Sequence, residues 1–123
     1  MANILLVDDD AHLVKAQSEF LRRAGHAVST AANGKEAMDL VADNDFDLVI
    51  TDIIMPEKEG LETIAELRRK APKIKIIAMS GGTIWMGSKD SLSMARMFGA
   101  SLTLAKPFSG ETLIAAVKQV LSP

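Results

Sequence analysis

The sequence predicts an α/β fold with a doubly wound parallel sheet, and two patterns lead to this prediction. Short apolar runs alternate along the chain with amphipathic stretches in which apolar residues recur three or four positions apart. Apolar runs without polar alternation are typical of parallel strands that helices cover on both faces. Because the chain has 123 residues, we expect one domain that spans residues 1–123.

Five apolar runs are the predicted strands, and each is followed by a helical pattern. The runs cover residues 4–7, 27–30, 48–50, 74–79 and 102–105. The helical patterns place their apolar positions within residues 13–24, 37–41, 61–67, 92–98 and 113–121. With right-handed crossovers, this (βα)5 chain is best arranged in the flavodoxin-like strand order 2-1-3-4-5.

Residues that favour turns and helix ends mark the boundaries of these elements. Gly25 and Gly99 stand where helix C-caps are expected. Asn33 and Gly34 together predict a turn, and Pro72 ends the third helix. The positions of these residues therefore support the same division into strands and helices.

The charge balance and the absence of cysteine exclude several classes of function. The 14 basic and 16 acidic residues give a formal charge of -2, too balanced for electrostatic binding to nucleic acid or to an anionic membrane. Because the chain has no cysteine, disulfides, thiol nucleophiles and cysteine-ligated zinc are excluded. No apolar segment approaches the roughly 18 residues of a membrane span, so we expect a cytoplasmic protein.

Polar residues with the potential for chemistry follow four of the predicted strands. Asp8 and Asp9 come directly after the first strand, and Asp52 comes after the third. Ser80 and Lys106 end the fourth and fifth strands. Because the carboxyl ends of parallel strands meet at one edge of an open sheet, where such folds bind ligands, we expect these side chains to form one site.

Three crowded carboxylates indicate metal-assisted phosphoryl chemistry. They repel one another unless a cation compensates, and hard oxygen ligands suit Mg²⁺, or Mn²⁺ in its place. In such a site an aspartate carboxylate can act as the nucleophile and form an aspartyl-phosphate. Lys106 would supply a fixed positive charge and Ser80 a hydroxyl donor.

Each of these residues also has an ordinary structural interpretation. Asp8, Asp9 and Asp10 could simply cap the first helix and interact with its dipole. A serine at a strand end and a lysine on a surface are both common. It is their joint placement at the strand ends that favours a site.

The residues at the strand ends resemble the receiver domains of two-component response regulators, and the chain is similar in size to single-domain receivers of the chemotaxis type. The resemblance covers essentially the whole chain. It rests on Val7-Asp8-Asp9, on Asp52-Ile53-Ile54-Met55-Pro56 with Gly60, on Ser80-Gly81 and on Lys106-Pro107-Phe108.

The resemblance implies a role for each site residue. Asp52 would be the phosphoacceptor and a metal ligand, Asp9 a direct Mg²⁺ ligand and Asp8 a ligand that acts through water. The backbone carbonyl of Ile54 would complete the protein ligands. These four residues are the implied metal site.

The resemblance also implies how the phosphoryl group is held and used. Ser80 would hydrogen-bond one phosphoryl oxygen and Lys106 would pair with another, with a cis peptide bond between Lys106 and Pro107. The donor would be a phosphohistidine on a sensor histidine kinase or a histidine phosphotransfer domain, and the readout a downstream protein target. Such a protein assists its own phosphorylation and is not a conventional turnover enzyme. If Pro123 ends the full product, we expect a receiver without an effector domain and without direct contact to nucleic acid. A receiver excised from a longer regulator or hybrid kinase is the alternative, and it would have the same boundary.

The chain departs from the family pattern at three places. Thr103 stands where the family usually has the aromatic residue that reports the active state, and the loop after Ser80 is longer than usual. Ile54 and Gly82 stand where side chains usually orient the water that hydrolyses the aspartyl-phosphate. The last departure predicts slow self-dephosphorylation.

Two other functions compete with the receiver hypothesis. Asp8 to Asp10 also fit the Asp-x-Asp motif of haloacid dehalogenase-type phosphatases, in which Asp8 would be the nucleophile. That family needs an acidic metal-binding motif after the lysine, whereas only Glu111 follows here, and it leaves Asp52 unexplained. The third hypothesis is a receiver fold that serves as a non-phosphorylated interaction module, although retained buried carboxylates without a metal would cost stability.

Overall fold

The computed structural model describes residues 2–52, 59–80 and 99–122. Within these ranges the chain forms five strands and four helices, and a helix follows each of the first three strands and the last one. In chain order the elements are β1 (Asn3–Val7), α1 (Ala11–Arg23), β2 (Ala27–Ala31), α2 (Gly34–Asp43), β3 (Leu48–Asp52), α3 (Glu59–Lys70), β4 (Lys75–Ser80), β5 (Leu102–Ala105) and α4 (Gly110–Leu121). The predicted helix around residues 92–98 and the predicted long loop after Ser80 lie outside the described residues.

The five strands form one sheet in the order β2-β1-β3-β4-β5, and every neighbouring pair is parallel. The predicted doubly wound fold and its strand order are therefore confirmed. The three central strands β1, β3 and β4 are almost wholly buried, whereas the edge strands β2 and β5 are partly exposed. This burial on both faces explains why the central strands are continuous apolar runs.

Alternate residues of each strand enter two separate cores, one on each face of the sheet. The core beneath α2 and α3 contains Leu5, Val7, Val49, Ile76 and Ala78 from the strands and Ala37, Ile64 and Leu67 from the helices. The core beneath α1 and α4 contains Ile4, Leu6, Leu48, Ile50, Ile77 and Met79 from the strands and Leu21, Leu113 and Val117 from the helices. Both cores hold the central strands rigidly and so fix the edge at which those strands end.

Side-chain caps begin three of the helices. The Asp10 carboxylate accepts hydrogen bonds from two amide groups in the first turn of α1, and the Ser109 hydroxyl accepts one from the Thr112 N–H at the start of α4. The prediction of a turn at Asn33 and Gly34 is wrong, because Asn33 is the N-cap of α2 and Gly34 is its first residue. The asparagine is extended (φ -158°, ψ 175°), and its Oδ1 accepts the Glu36 N–H at 2.9 Å.

The two glycines predicted at helix ends adopt left-handed backbone conformations. Gly25 follows α1 with φ +97°, and Gly99 has φ +121°. Pro72 follows α3 closely, as predicted. The guanidinium of Arg68 near the end of α3 donates hydrogen bonds to the carbonyl oxygens of Pro72, Ile74 and Gly99.

His26 joins the start of β2 to the start of β1. Its Nδ1 accepts a hydrogen bond from the Ala2 N–H at 3.1 Å, so that nitrogen carries no proton. Burial lowers the pKa of His26, and the positive charge of the N-terminus adds a smaller effect in the same direction. The folded state therefore prefers the neutral imidazole.

We predict that His26 contributes to acid sensitivity. Because its folded pKa is lowered, its neutral form supports the fold above about pH 6.5, the ordinary histidine value, and this contribution is lost as the pH falls through that value. His26→Asn keeps an acceptor near the Nδ1 position without the titration. Urea unfolding between about pH 7.5 and 5 should show a smaller loss of unfolding free energy in this variant than in the wild type.

The exposed His12 provides the matched control for this measurement. His12→Asn should keep the wild-type pH dependence. An equal flattening in both variants, or in neither, would contradict the assignment to His26.

Candidate functional site

Four of the strands deliver polar residues to one edge of the sheet. Asp8 directly follows β1, Asp52 is the last residue of β3, Ser80 is the last residue of β4 and Lys106 directly follows β5. The parallel register sets these ends side by side, with Asp52 opposite Met79 and Ser80 opposite Ala105. The edge that the sequence predicted is therefore the edge at which these residues lie.

Three carboxylates form a compact cluster at this edge. Asp8, Asp9 and Asp52 each place one oxygen within 4.8 Å of the others. Asp8 and Asp52 are buried, whereas Asp9 is exposed at the rim. Oδ1 of Asp8 accepts the backbone N–H of Asp10 at 3.0 Å, which fixes the carboxylate at the start of α1. Asp10 is thus a helix cap, and the capping interpretation holds for this residue of the triplet.

The ammonium group of Lys106 joins the two buried carboxylates. Its Nζ lies 2.8 Å from Oδ2 of Asp8 and 2.8 Å from Oδ2 of Asp52. The lysine side chain is 17% exposed and the two carboxylates are 1% and 7% exposed, so these ion pairs are largely shielded from water. The resemblance implied Lys106 as a partner of the phosphoryl group, and the pairing with Asp8 was not predicted.

The backbone around Lys106 is fixed as well. Its N–H donates to the carbonyl oxygen of Ser80 at 2.7 Å, and the bond to Pro107 is cis, as the resemblance implied. The Ser80 side chain is fully buried at the end of β4. The tips of β4 and β5 are therefore joined directly beside the carboxylate cluster.

The surroundings raise the pKa of Lys106 although burial alone would lower it. Desolvation is the largest single influence and favours the neutral amine, but the hydrogen bonds from Lys106 to Asp52 and Asp8, together with their negative charges, outweigh it. Lys106 is therefore a permanent cation at physiological pH. Among the residues that the structure describes, it is the one cation paired with these carboxylates, so negative charge is in excess in this part of the cluster.

The cluster fits a small, hard divalent cation. All its donors are carboxylate oxygens, and Mg²⁺ uses one or two protein carboxylates while it retains several waters. The exposed Asp9 leaves one side of the cluster accessible. Ile54, whose carbonyl the resemblance implies as a further ligand, lies outside the described residues.

Two grooves of the described surface differ in their relation to this cluster. A groove of about 480 Å³ along α1 includes Asp8 and Asp9 in its lining, so the cluster opens directly to the surface. A larger groove of about 850 Å³ lies at the opposite edge, near Phe46 and Pro72, and contains none of the residues of the cluster. The carboxylate cluster therefore lies at the smaller of these two grooves, and groove volume does not indicate its position.

Comparison with known proteins agrees with this architecture. Residues 4–118 match the family described as response regulator receiver domain. The chain belongs to this receiver family. Its receivers accept phosphoryl groups, interact with histidine kinases and act as switches rather than as turnover enzymes.

The similar proteins include longer regulators and a solved chain that this receiver covers almost completely. The chain is 35% identical to the transcriptional regulatory protein CpxR of Escherichia coli K12 over 98% of its length, and 33% identical to the DNA-binding transcriptional regulator NtrC of Azospirillum brasilense over 98%. It spans 50% of the first protein and 24% of the second. The solved structure of the chemotaxis response regulator CheY4 of Vibrio cholerae has a TM-score of 0.87 at 32% identity, with 98% of this receiver and 99% of that chain covered.

None of the described helices of this receiver combines the length and the apolar composition that crossing a bilayer requires.

We predict that Lys106→Met destabilises the fold at neutral pH. The substitution leaves two buried carboxylates without their shared cation, and breaking a buried pair of this kind costs about 3 kcal/mol. The pKa of Lys106 is raised in the folded state, so the charged lysine contributes fully to the free energy of unfolding below the ordinary lysine pKa of about 10.5. The wild type should lose this stability as the pH rises beyond that value. Urea unfolding should show that Lys106→Met lacks this alkaline loss.

The exposed Lys118 on α4 is the control for the loss of one positive charge. Lys118→Met should change the free energy of unfolding by less than about 0.5 kcal/mol. Equal stabilities of the two variants would show that the buried ion pairs do not stabilise the fold.

Proposed function

We propose that this receiver takes a phosphoryl group onto Asp52 with the help of Mg²⁺ or Mn²⁺ and thereby switches a protein-interaction surface in two-component signal transduction. The observation that carries the proposal is the buried Asp52 carboxylate at a strand end, 2.8 Å from Lys106 and within 4.8 Å of the Asp8 and Asp9 oxygens. The phosphoacceptor role is general to the family, and Asp52 has the placement that this role requires.

The proposed donor is a phosphohistidine on a sensor histidine kinase or a histidine phosphotransfer domain. A carboxylate oxygen of Asp52 attacks the phosphorus atom, the P–O bond forms as the P–N bond breaks, and the imidazole nitrogen takes up a proton from solvent. The strand holds the carboxylate, and the Lys106 ammonium beside it offsets negative charge on the transferring oxygens. Asp52 needs no general base, because its carboxylate is already a nucleophile.

The metal ion would be held by Asp8, Asp9 and Asp52, together with the carbonyl of Ile54. A bound Mg²⁺ would supply positive charge to offset the negative charge of the phosphoryl oxygens. Asp9 is the exposed member of these three carboxylates. The excess negative charge of the cluster supports this assignment.

Ser80 would contact the phosphoryl group and transmit its presence. Its side chain is buried next to Asp52 in the strand order, and its carbonyl is hydrogen-bonded to the backbone of Lys106. A shift of Ser80 toward the phosphoryl group would therefore change the position of the backbone at the end of β5. A downstream protein in the cytoplasm would bind the changed surface. This domain would make no direct contact with nucleic acid.

The two competing hypotheses are less well supported. The haloacid dehalogenase-type phosphatase would use Asp8 as its nucleophile and would leave unexplained the buried Asp52 carboxylate in the same cluster. The family match over residues 4–118 also favours the receiver. A non-phosphorylated module would retain the carboxylate cluster at a cost in stability and for no purpose.

We predict a single phosphoryl adduct on Asp52. After incubation with acetyl phosphate and Mg²⁺, intact-mass analysis should show one adduct on the wild type and none on Asp52→Asn. EDTA should reduce the adduct at least tenfold, since the metal would supply most of the charge neutralisation.

The exposed Asp39 on α2 gives the control for the loss of a carboxylate. Asp39→Asn should be phosphorylated like the wild type. An adduct that persists in Asp52→Asn but disappears in Asp8→Asn would favour the phosphatase. No adduct, even with a phosphohistidine donor, would favour the interaction module.

We also predict slow self-dephosphorylation of the phosphorylated receiver. The resemblance places Ile54 where a polar side chain usually orients the attacking water, and the Ile54→Asn substitution supplies such a group. Decay of the adduct, followed by mass after removal of the donor, should be several-fold faster in Ile54→Asn than in the wild type. Ile54→Val should decay at the wild-type rate. If the wild type decays as fast as a chemotaxis receiver and Ile54→Asn is no faster, this explanation is wrong.

A further inference from the structure

We propose that Arg68, at the opposite edge of the sheet from the carboxylate cluster, is a positioning residue for phosphoryl transfer. It acts on the site through β5, the strand that delivers Lys106. The inference rests on the proposed function of Asp52 and Lys106, and it adds a residue that the family motifs do not contain.

Arg68 donates hydrogen bonds to three carbonyl oxygens in two separate turns of the backbone. Its Nη1 donates to the carbonyl oxygens of Pro72 at 2.9 Å and Ile74 at 2.8 Å, and its Nη2 donates to that of Gly99 at 2.7 Å. Hydrogen bonds from a guanidinium are charge-assisted, and the planar group fixes the direction of each. One side chain therefore ties the end of α3, the turn before β4 and the turn before β5 together.

Gly99 is shaped to receive this side chain. Its φ of +121° disfavours other residues, and a Cβ at this position would lie 3.0 Å from Nε of Arg68. The stem of Arg68 thus packs directly on the glycine backbone while the guanidinium binds its carbonyl oxygen. The turn before β5 is fixed by this contact.

β5 is the strand whose position most needs such a contact. It has four residues, lies at the edge of the sheet and is only partly buried. The Ser101 N–H donates to Ile76 at 2.7 Å just before the strand, and the Lys106 N–H donates to Ser80 at 2.7 Å just after it. Because the strand is short, a displacement at Gly99 is carried along it to Lys106.

The positions of the Asp8 and Asp52 carboxylates do not depend on β5. Asp8 and Asp52 end the central strands β1 and β3, which both cores hold. Loss of Arg68 should therefore disturb the cation of the site and leave its metal ligands in place. A separation between metal binding and phosphoryl transfer is the signature of this arrangement.

Arg22 offers a matched control beside β2, the edge strand on the other side of the sheet from β5. Its Nη2 donates to the carbonyl oxygen of Val28 in β2 at 3.2 Å, and β2 contributes no side chain to the cluster. Arg68→Lys and Arg22→Lys each keep the charge and remove the planar donor group. Arg68→Met, which keeps only the stem over Gly99, is the second variant if the lysine substitution prevents folding.

The first experiment is amide hydrogen exchange, which does not depend on any activity. In Arg68→Lys the amides of Ser101 and Lys106 should exchange at least tenfold faster than in the wild type. The amide of Asp8, which donates to Ala31 at 3.1 Å, should change less than twofold. Arg22→Lys should leave the amides of Ser101 and Lys106 unchanged. Equal acceleration at Asp8 and Lys106 would indicate global destabilisation and overturn the proposal.

The second experiment measures phosphorylation by acetyl phosphate at saturating Mg²⁺, with Mg²⁺ affinity determined by calorimetry. Arg68→Lys should react at least threefold more slowly than the wild type without weaker Mg²⁺ binding, and Arg22→Lys should react at the wild-type rate. A rate within 1.5-fold of the wild type, or an equal loss in both variants, would overturn the positioning role. If the wild type itself forms no adduct on Asp52, the proposed function fails, while hydrogen exchange still tests the link from Arg68 to Lys106.

Discussion

The ion pairs from Lys106 to Asp8 and Asp52 are the interaction on which the functional edge of the sheet depends. Buried carboxylates destabilise a fold unless a partner offsets their charge. Here one ammonium group serves two carboxylates that come from different strands, and it arrives from a third strand. The ends of β1, β3 and β5 must therefore stay in a fixed relation, and the helices on both faces provide it.

The strand order explains why a lysine is suited to this position. β1 and β3 are neighbours, so Asp8 and Asp52 end side by side, whereas β4 separates β3 from β5. With strands about 4.8 Å apart, β5 lies roughly 10 Å from β3 and 14 Å from β1. A long side chain from the end of β5 can pass over the tip of β4 and reach both carboxylates. Ser80 is the last residue of β4 and therefore lies between the ends of β3 and β5.

The sequence allows the fold and the members of the cluster to be predicted, because both depend on local patterns. Continuous apolar runs reveal buried parallel strands, and the polar residues that end them must share an edge. The turn predicted at Asn33 was wrong, since the same residues that favour turns also cap helices and only the following amides decide between the two. The Lys106–Asp8 pair and the Arg68–Gly99 contact join residues 98 and 31 positions apart, and no local pattern encodes them.

The division between central and edge strands has a consequence for the proposed switch. Moving a carboxylate on β1 or β3 would disturb both cores, whereas β5 is short, partly exposed and paired along one side with β4. If Asp52 carries a phosphoryl group as proposed, negative charge would extend outward from the strand end, and a cation that follows it would have to come from a part of the sheet that can shift at low cost. Lys106 is attached to that part. The edge strand is therefore the place where phosphorylation can change the surface without unfolding the core, and the same exposure explains why it needs a contact such as that of Arg68 to define its resting position.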